Sequence, residues 1–241
     1  MKTHALLAAA ALLAASPQLW AHPDRPRPPR AHHAHSHSHG DAGGSYWDIR
    51  FGIGGEPMLT DSEYDFAGGS DVDAEEEWEE GGAGSFEINA AHRFAARGPG
   101  SGYVTFGGFA RGFDGENEFN NNDEVGLGVF GVQVGGGFSY RPHARYSVEI
   151  GPRLGFGVAS ATEEVNGDEL ESDSGGYARL DFGATNLFNF GALQLGVAVG
   201  IAAWSATVPY DDQIVNGTFY PDADVTYSGS GGYVNFSMGF R

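Results

Sequence analysis

Side chains along most of this chain alternate between apolar residues and small or polar ones. A period of two places successive side chains on opposite faces of a β-strand. The alternation is clear in six segments, at residues 47–54, 86–94, 146–158, 179–183, 193–201 and 234–240. The pattern therefore predicts an all-β fold.

Two further segments, 103–113 and 125–140, are rich in glycine and change the phase of their apolar residues. The changes fall near Gly107-Gly108 and near Val129-Phe130, as they would at a β-bulge. With these two segments the sequence predicts about eight antiparallel strands that close into one up-and-down barrel.

The polar face of the predicted strands indicates which side points inward. It carries glycine and small residues with isolated charges, namely Asp48, Glu87, Glu149, Asp181, Arg50, Arg93, Arg111, Arg153 and Arg179. A water-soluble barrel would instead carry many charges outside and its apolar face inside. Small residues and pairable charges suit a narrow interior, so the apolar face is predicted to contact lipid. A soluble, lipocalin-like binder is the alternative.

Two of these charges, Glu149 and Arg153, stand four residues apart on one strand face. At the rise of a β-strand they are about 13 Å apart, too far to pair directly. Each is therefore expected to find its partner on another strand.

Acidic residues are concentrated in four long connections. Residues 56–84, 114–124, 162–175 and 207–225 hold 26 of the 32 acidic residues and no Lys or Arg. Shorter connections near 95–101, 141–145 and 186–190 alternate with them, and two of these carry Arg97, Arg141 and Arg145. This alternation is typical of a membrane barrel with long loops outside the cell and short turns in the periplasm.

Aromatic residues near the strand ends predict two girdles at the membrane surfaces. The girdle at the short turns would contain Trp47, Phe94, Tyr103, Tyr140, Tyr146 and Phe240. The girdle at the long loops would contain Phe86, Phe113, Tyr177, Trp204 and Tyr227.

The N-terminal residues precede the predicted barrel and differ from it in composition. A charged start, the apolar run 5–15 and a small residue at Ala21 predict a secretory signal peptide over residues 1–21. Residues 22–45 carry Pro, Arg, His and Gly with little to bury, and are expected to form a disordered periplasmic tail. The barrel is then predicted to span 46–241.

Histidines in this tail could bind a transition metal. Neutral imidazoles spaced along a flexible chain can bind Zn²⁺, Ni²⁺ or Cu²⁺, and the tail offers His22, His32, His33, His35, His37 and His39. A solvated spacer without metal is the alternative. The chain has no cysteine, so thiolate ligands are excluded.

The acidic connections could bind Ca²⁺ or Mg²⁺ weakly through carboxylate oxygens. The candidates are Asp71, Asp73, Glu75, Glu76, Glu77, Asp114, Glu116, Asn120 and Asp123. A solvated, self-repelling surface is the alternative, and divalent bridging to lipopolysaccharide phosphates would use the same charges. The net charge of −19 argues against nucleic acid as a partner.

The last strand carries the most specific resemblance to a known group. The segment Tyr233-Val-Asn-Phe-Ser-Met-Gly-Phe240 is similar to the terminal strand of small eight-stranded outer-membrane barrels, the group of the OmpA transmembrane domain, OmpX and OmpW. The resemblance covers about Tyr46 to Arg241, although the group usually ends on the aromatic residue that here precedes Arg241. It implies the barrel fold, the outer membrane as location and recognition by the outer-membrane assembly machinery.

The sequence predicts no catalytic site. Outside the N-terminal region the only histidines are His92 and His143, and both are expected on the periplasmic side. The leading hypothesis is a non-enzymatic outer-membrane barrel with a structural or surface-interaction role. The alternatives are periplasmic metal binding through the His-rich tail, or a small-solute channel.

Overall fold

A computed structural model describes residues 45–66, 74–78, 81–96, 98–116, 123–165 and 167–240, and for residues 74–77 the backbone alone. These ranges contain thirteen strands: β1 (Tyr46–Gly55), β2 (Asp61–Phe66), β3 (Ala74–Glu77), β4 (Ala83–Arg93), β5 (Gly100–Glu116), β6 (Glu124–His143), β7 (Tyr146–Val165), β8 (Asp168–Glu171), β9 (Gly175–Phe190), β10 (Leu193–Tyr210), β11 (Gln213–Val215), β12 (Thr218–Tyr220) and β13 (Ala223–Phe240). The predicted signal peptide and, apart from Ser45, the predicted tail lie outside the described residues.

Eight of the strands form a closed antiparallel ring. They pair in the order β1, β4, β5, β6, β7, β9, β10 and β13. Pairing of β1 with β13, from Ile49 opposite Phe240 to Gly55 opposite Val234, closes the ring. Closure leaves no unpaired strand edge at this level. The predicted fold of about eight antiparallel strands is confirmed.

The outer surface of this ring is apolar around its whole circumference. Every ring strand places a large apolar side chain outward that is 40 to 67% exposed: Phe51, Phe86, Phe106, Phe130, Phe156, Phe182, Leu195 and Phe236. Charged residues at the inward positions of the same strands, such as Asp48, Arg50, Glu87 and Glu149, are buried. The predicted direction of the two faces is therefore correct.

The apolar outer surface covers only part of each strand. On β7 the outward residues are apolar from Tyr146 to Val158 and then become Ser160, Thr162 and Glu164. A strand that crosses a bilayer needs about 9–11 residues. We call the part with the apolar exterior the belt section, and the part of the strands beyond it, toward the long connections, the loop section. No helix in the described ranges is long and apolar enough to cross a membrane.

The interior of the loop section is apolar. A cluster of buried side chains fills it, including Phe113, Val129, Trp204, Val208 and Tyr227. Along one strand, therefore, apolar side chains point outward in the belt section and inward in the loop section.

Because of this inversion, the predicted aromatic girdle at the long loops is wrong for four of its five residues. Phe86 is exposed, but Phe113, Tyr177, Trp204 and Tyr227 are at most 4% exposed and belong to the interior. At the short-turn end Trp47, Phe94, Tyr140 and Phe240 are exposed as predicted, and Tyr146 is partly exposed. Tyr103 points inward and is buried.

The inversion also explains why the predicted bulges are absent. Pairing of β5 with β6 runs without interruption through Gly107, Gly108, Val129 and Phe130. The change of apolar phase reflects Phe106 facing outward and Phe109 facing inward on one regular strand. The register shifts instead between Tyr140 and His143, at the turn between β6 and β7.

The connections are shorter than predicted because the strands extend into them. Residues 186–190 belong to β9, and the turn lies at Gly191-Ala192, where Gly191 has a φ of 71°. Residues 207–225 contain the ends of β10 and β13 and the hairpin of β11 with β12. Asn216 and Gly217, with φ of 50° and 91°, form its turn, as expected of an Asn-Gly pair between two strands.

The chain enters the lumen between β1 and β2. Both strands pair with β13 in the same register. Residues 56–60, between Gly55 and Asp61, are not part of this strand pairing. Glu56 and Leu59 are buried inside, and the Trp204 Nε1 donates a hydrogen bond of 3.1 Å to the Pro57 carbonyl. Gly229 is required beside this segment, since a Cβ there would lie 2.2 Å from the Met58 carbonyl oxygen.

Candidate functional site: two ion-pair rings and a cavity at the long-loop end

Four charged side chains form a closed ring of ion pairs nearest the short turns. Arg50 bridges Asp48 on its own strand at 2.8 Å and Glu149 on β7 at 2.6 Å. Arg93 on β4 pairs with the same two carboxylates. We call this set the lower ring. Its charges balance, because two guanidinium groups face two carboxylates.

Six charged side chains form a second closed ring, the upper ring, one layer further toward the long loops. Arg153 pairs with Glu87 at 3.1 Å and with Asp181 at 2.9 Å. Arg179 bridges Asp181, at 3.2 Å, to Glu56. Arg111 completes the ring by pairing with Glu56 at 3.2 Å and with Glu87 at 3.1 Å. Cations and anions alternate in this ring and their charges also balance.

The rings bear out the expectation that Glu149 and Arg153 pair with other strands. All nine predicted inward charges take part in one of the two rings. Removing one member of a buried pair costs about 3–5 kcal/mol because its partner stays behind as an uncompensated charge. Loss of a single ring member is therefore expected to destabilise the barrel.

Glu56 is the ring member that sequence reasoning missed. It was placed in the first acidic connection, whereas its carboxylate lies buried between Arg111 and Arg179. Charge counting could have found it, because five inward arginines faced only four inward acids. An acid directly after two glycines and before Pro57 was the available candidate.

Glycines on the inward face make room for the upper ring. A Cβ at Gly135 would lie 2.5 Å from the Arg153 Cγ, and one at Gly183 would lie 2.2 Å from the Tyr233 hydroxyl oxygen. Between the rings the described residues leave a polar cavity of about 60 Å³, bordered by Asn89, Tyr103 and Asn235. A space of this size holds about two water molecules.

An aromatic layer lies above the upper ring. The guanidinium of Arg111 lies 3.9 Å from the centre of the Phe109 ring, an arrangement that favours the cation. Phe113 and Trp204 have ring centres 4.2 Å apart, and Tyr177 packs on Trp204 at 6.2 Å. This layer separates the polar interior of the belt section from the long-loop end.

The long-loop end contains a cavity of about 200 Å³, which we call the outer cavity. Its lining includes Trp78, Tyr210 and Tyr220 as well as the acidic residues Asp123 and Glu163. Glu163 is only 4% exposed. The sequence placed all five residues in the long acidic connections and predicted no cavity there.

Hydrogen bonds from tyrosines hold the Glu163 carboxylate in place. The Tyr64 hydroxyl donates to Glu163 Oε1 at 2.9 Å, and the Tyr227 hydroxyl donates to the same oxygen. Burial, and then the charge of the nearby Glu163, raise the pKa of Tyr227 well above its ordinary value. The pKa of Tyr210, 3.0 Å from Tyr227 between hydroxyl oxygens, is raised for the same reasons. Both phenols therefore stay neutral at physiological pH.

The two described histidines lie at the short-turn end, as expected. His92 is on the outer face, packed against Trp47 at 4.5 Å and Phe94 at 5.2 Å between ring centres. The His143 Nδ1 accepts a hydrogen bond from the Arg145 backbone at 3.2 Å. Neither histidine lines the outer cavity.

The predicted metal ligands are mostly beyond the described residues. His22, His32, His33, His35, His37 and His39 fall outside them, as do Asp71, Asp73, Asn120 and the side chains of Glu75, Glu76 and Glu77. Asp114, Glu116 and Asp123 are described. Within the described ranges no three His, Asp or Glu side chains are grouped so that they could hold a metal ion.

Comparisons with known proteins find similar structures. The chain is similar to small outer-membrane barrels. Ail, the attachment invasion locus protein of Yersinia pestis, is 17% identical over 82% of this chain and 97% of Ail, with a TM-score of 0.35. OprG from Pseudomonas aeruginosa is 10% identical over 83% and 96% of the two chains, with a TM-score of 0.41. Neisserial surface protein A is 10% identical over 82% and 98%, with a TM-score of 0.32.

No protein-family model matches the chain, and no curated protein matches it. The eight-stranded ring is established by the strand pairing of the chain itself.

Proposed function

We propose that this protein is an integral outer-membrane β-barrel without enzymatic activity, and that it has a structural or surface-interaction role at the cell surface. The apolar exterior of the belt section carries the proposal. Water-soluble monomers rarely expose contiguous apolar patches above a few hundred Å², whereas here all eight strands contribute exposed apolar side chains. Lipid is the environment in which such a surface is stable.

The orientation follows from the charges at the two ends. The long-loop end carries most of the acidic residues, whereas the short-turn end carries Arg141 near the end of β6 and Arg145 in the turn that follows. We infer that the long-loop end faces outward, where its carboxylates would contact lipopolysaccharide phosphates through divalent cations. The short turns and the N-terminal tail would then face the periplasm. Phe240, exposed on the outer face of the closing strand, fits recognition by the assembly machinery.

Cysteine labelling in intact cells tests this orientation, since the chain has no cysteine of its own. Thr218 is exposed in the hairpin of β11 and β12, and Ala144 is exposed in a short turn. An impermeant thiol reagent should label Thr218→Cys on intact cells and Ala144→Cys only after lysis. Labelling of Ala144→Cys on intact cells would refute the orientation.

A filled lumen supports a non-channel role over the small-solute alternative. The two ion-pair rings, the segment 56–60 and the aromatic layer occupy successive levels of the interior in the described residues. Refolded protein in planar bilayers should therefore show no steady conductance above the lipid background. Regular open-channel steps would favour the transport alternative instead.

Metal binding by the His-rich tail stays a prediction. Titration of the refolded full chain with Zn²⁺, compared with a variant in which the six tail histidines are replaced by serine, tests it. Loss of saturable binding in the variant would support the prediction, and equal binding by both would refute it.

A further inference from the structure

The outer cavity combines an aromatic wall with carboxylates. Tyr64, Phe66, Trp78, Tyr210 and Tyr220 line it together with the buried acidic residues Asp123 and Glu163, and the exposed acidic residues Glu124, Glu164 and Asp211 border it. None of its described lining residues is Arg or Lys. The five ring arginines are paired deeper in the barrel, so their charge is already balanced there. The cavity is therefore apolar in surface and negative in potential.

Contacts between secondary-structure elements fix the walls of this cavity. The hairpin of β11 and β12 is tied to Asp168, which accepts hydrogen bonds from Asn216 at 2.6 Å and from the Tyr220 hydroxyl at 2.9 Å. On the other side, the rings of Tyr64 and Phe66 lie nearly parallel with centres 6.2 Å apart. Trp78 Nε1 donates to Ser62 Oγ at 3.0 Å. A cavity with walls held in this way needs little rearrangement to accept a ligand.

Glu163 supplies a fixed negative charge in the cavity wall. It sits at 4% exposure, with two tyrosine hydroxyls donating to one of its oxygens. Two hydroxyl donors on one oxygen stabilise the ionised form of the carboxylate. A counter-charge held in a partly dehydrated wall attracts a cation more strongly than a carboxylate in water does.

The residues of the cavity wall favour an alkylated ammonium group over a divalent metal ion. A divalent metal ion requires several oxygen ligands converging on one point, and the described carboxylates do not converge in this way. An alkylated ammonium group instead presents an apolar surface with a positive charge. Aromatic faces bind such a group through cation–π attraction without hydrogen bonds.

We propose that the outer cavity binds a small organic cation carrying an alkylated ammonium group, with Glu163 as its counter-charge and Tyr64, Trp78 and Tyr210 as its aromatic wall. The volume of about 200 Å³ suits a ligand of about the size of choline. This site is separate from the ion-pair rings and does not depend on the lumen being open.

Binding of two isosteric probes tests the proposal on the unmodified full chain. Choline and 3,3-dimethylbutan-1-ol have the same shape but differ in the charged nitrogen. The protein should be refolded in dodecyl maltoside, because detergents with ammonium headgroups would compete. Calorimetric titration should show saturable choline binding, and at least about tenfold weaker binding of the alcohol. Equal affinity for both probes, or no saturable binding of choline, would overturn the proposal.

Matched acid substitutions locate the counter-charge. Glu163→Gln should weaken choline binding at least about tenfold, whereas Glu169→Gln, at an exposed position on β8 outside the cavity lining, should leave it unchanged. Heat-modifiable gel mobility verifies that each variant is folded. If both substitutions weaken binding equally, the attraction is diffuse surface charge and the site assignment is wrong. The probe comparison on the unmodified protein decides the matter even if Glu163→Gln does not fold.

Discussion

The belt section and the loop section use the same strands in opposite ways. In the belt section Leu154 and Phe156 point outward while Arg153 points into the lumen. Further along β7, Thr162 and Glu164 point outward while Ala159 and Ala161 are buried inside. The alternation of the strand is unchanged, and only the polarity of each face is exchanged. The comparison teaches that the surroundings of a barrel, and not the period of its strands, decide which face is apolar.

The largest expected effect concerns the polar interior of the belt section. Arg153→Ala should lower the free energy of unfolding by about 3–5 kcal/mol, because it leaves Glu87 and Asp181 with an uncompensated charge. Arg145→Ala, at an exposed turn, should cost at most about 1 kcal/mol. Urea unfolding in lipid vesicles measures both. Equal shifts of the two midpoints would mean that the charged face does not line a crowded interior.

A somewhat smaller loss of stability is expected when a positive charge is placed on the outer surface of the belt section, compared with the outer surface of the loop section. Leu154→Arg puts a cation on the outward face near the middle of the belt section, where it should cost about 2–4 kcal/mol. Thr162→Arg puts the same cation on the outward face of the loop section, where the cost should be close to zero. The same unfolding assay compares them. A comparable loss for both variants would show that the two exteriors meet the same solvent.

The smallest expected effect on stability is that of high pH, which ionises the buried tyrosines of the loop section. The pKa values of Tyr210 and Tyr227 are raised by burial and by Glu163, whereas those of the unfolded chain are near 10. These tyrosines therefore stabilise the fold fully below pH 10, and the contribution is lost as the pH rises through their folded values. Tyrosinate absorbance is measured against pH for the parent protein and for Tyr227→Phe, and the difference between the two curves reports the ionisation of Tyr227. This difference should appear only well above pH 10. A difference curve with a midpoint near pH 10 would contradict the buried arrangement.

The sequence predicts the belt section well because one physical rule governs it. Lipid outside and paired charges inside produce a strict alternation, so the strands, their faces and nine of the ten ring members follow from the pattern. Glu56 is the exception. It lies where the chain leaves the ladder, and the periodicity of a strand gives no information about residues 56–60.

The loop section is harder to predict because period two does not show where the lipid ends. Trp204 and Phe113 lie at strand ends, and an aromatic residue there fits a membrane girdle as well as a buried core. The outer cavity depends on contacts between distant connections, such as Asp168 with Tyr220, which local patterns do not encode. The Asn216-Gly217 pair, with positive φ at both residues, is a local signal for the hairpin that forms a wall of this cavity, but residues 207–225 were predicted as a single long connection.

A nitroxide scan along the outward face of β7 tests the exchange of polarity most directly. Spin labels on cysteines at Val148, Leu154, Ser160 and Glu164, all on the outward face of that strand, would be measured in lipid vesicles with oxygen and with a water-soluble nickel complex as relaxation agents. Labels at Val148 and Leu154 should be accessible to oxygen and protected from the nickel complex, and the label at Glu164 should show the reverse, with Ser160 between them. Access of the nickel complex to all four positions would contradict the account, because the apolar exterior would then face water.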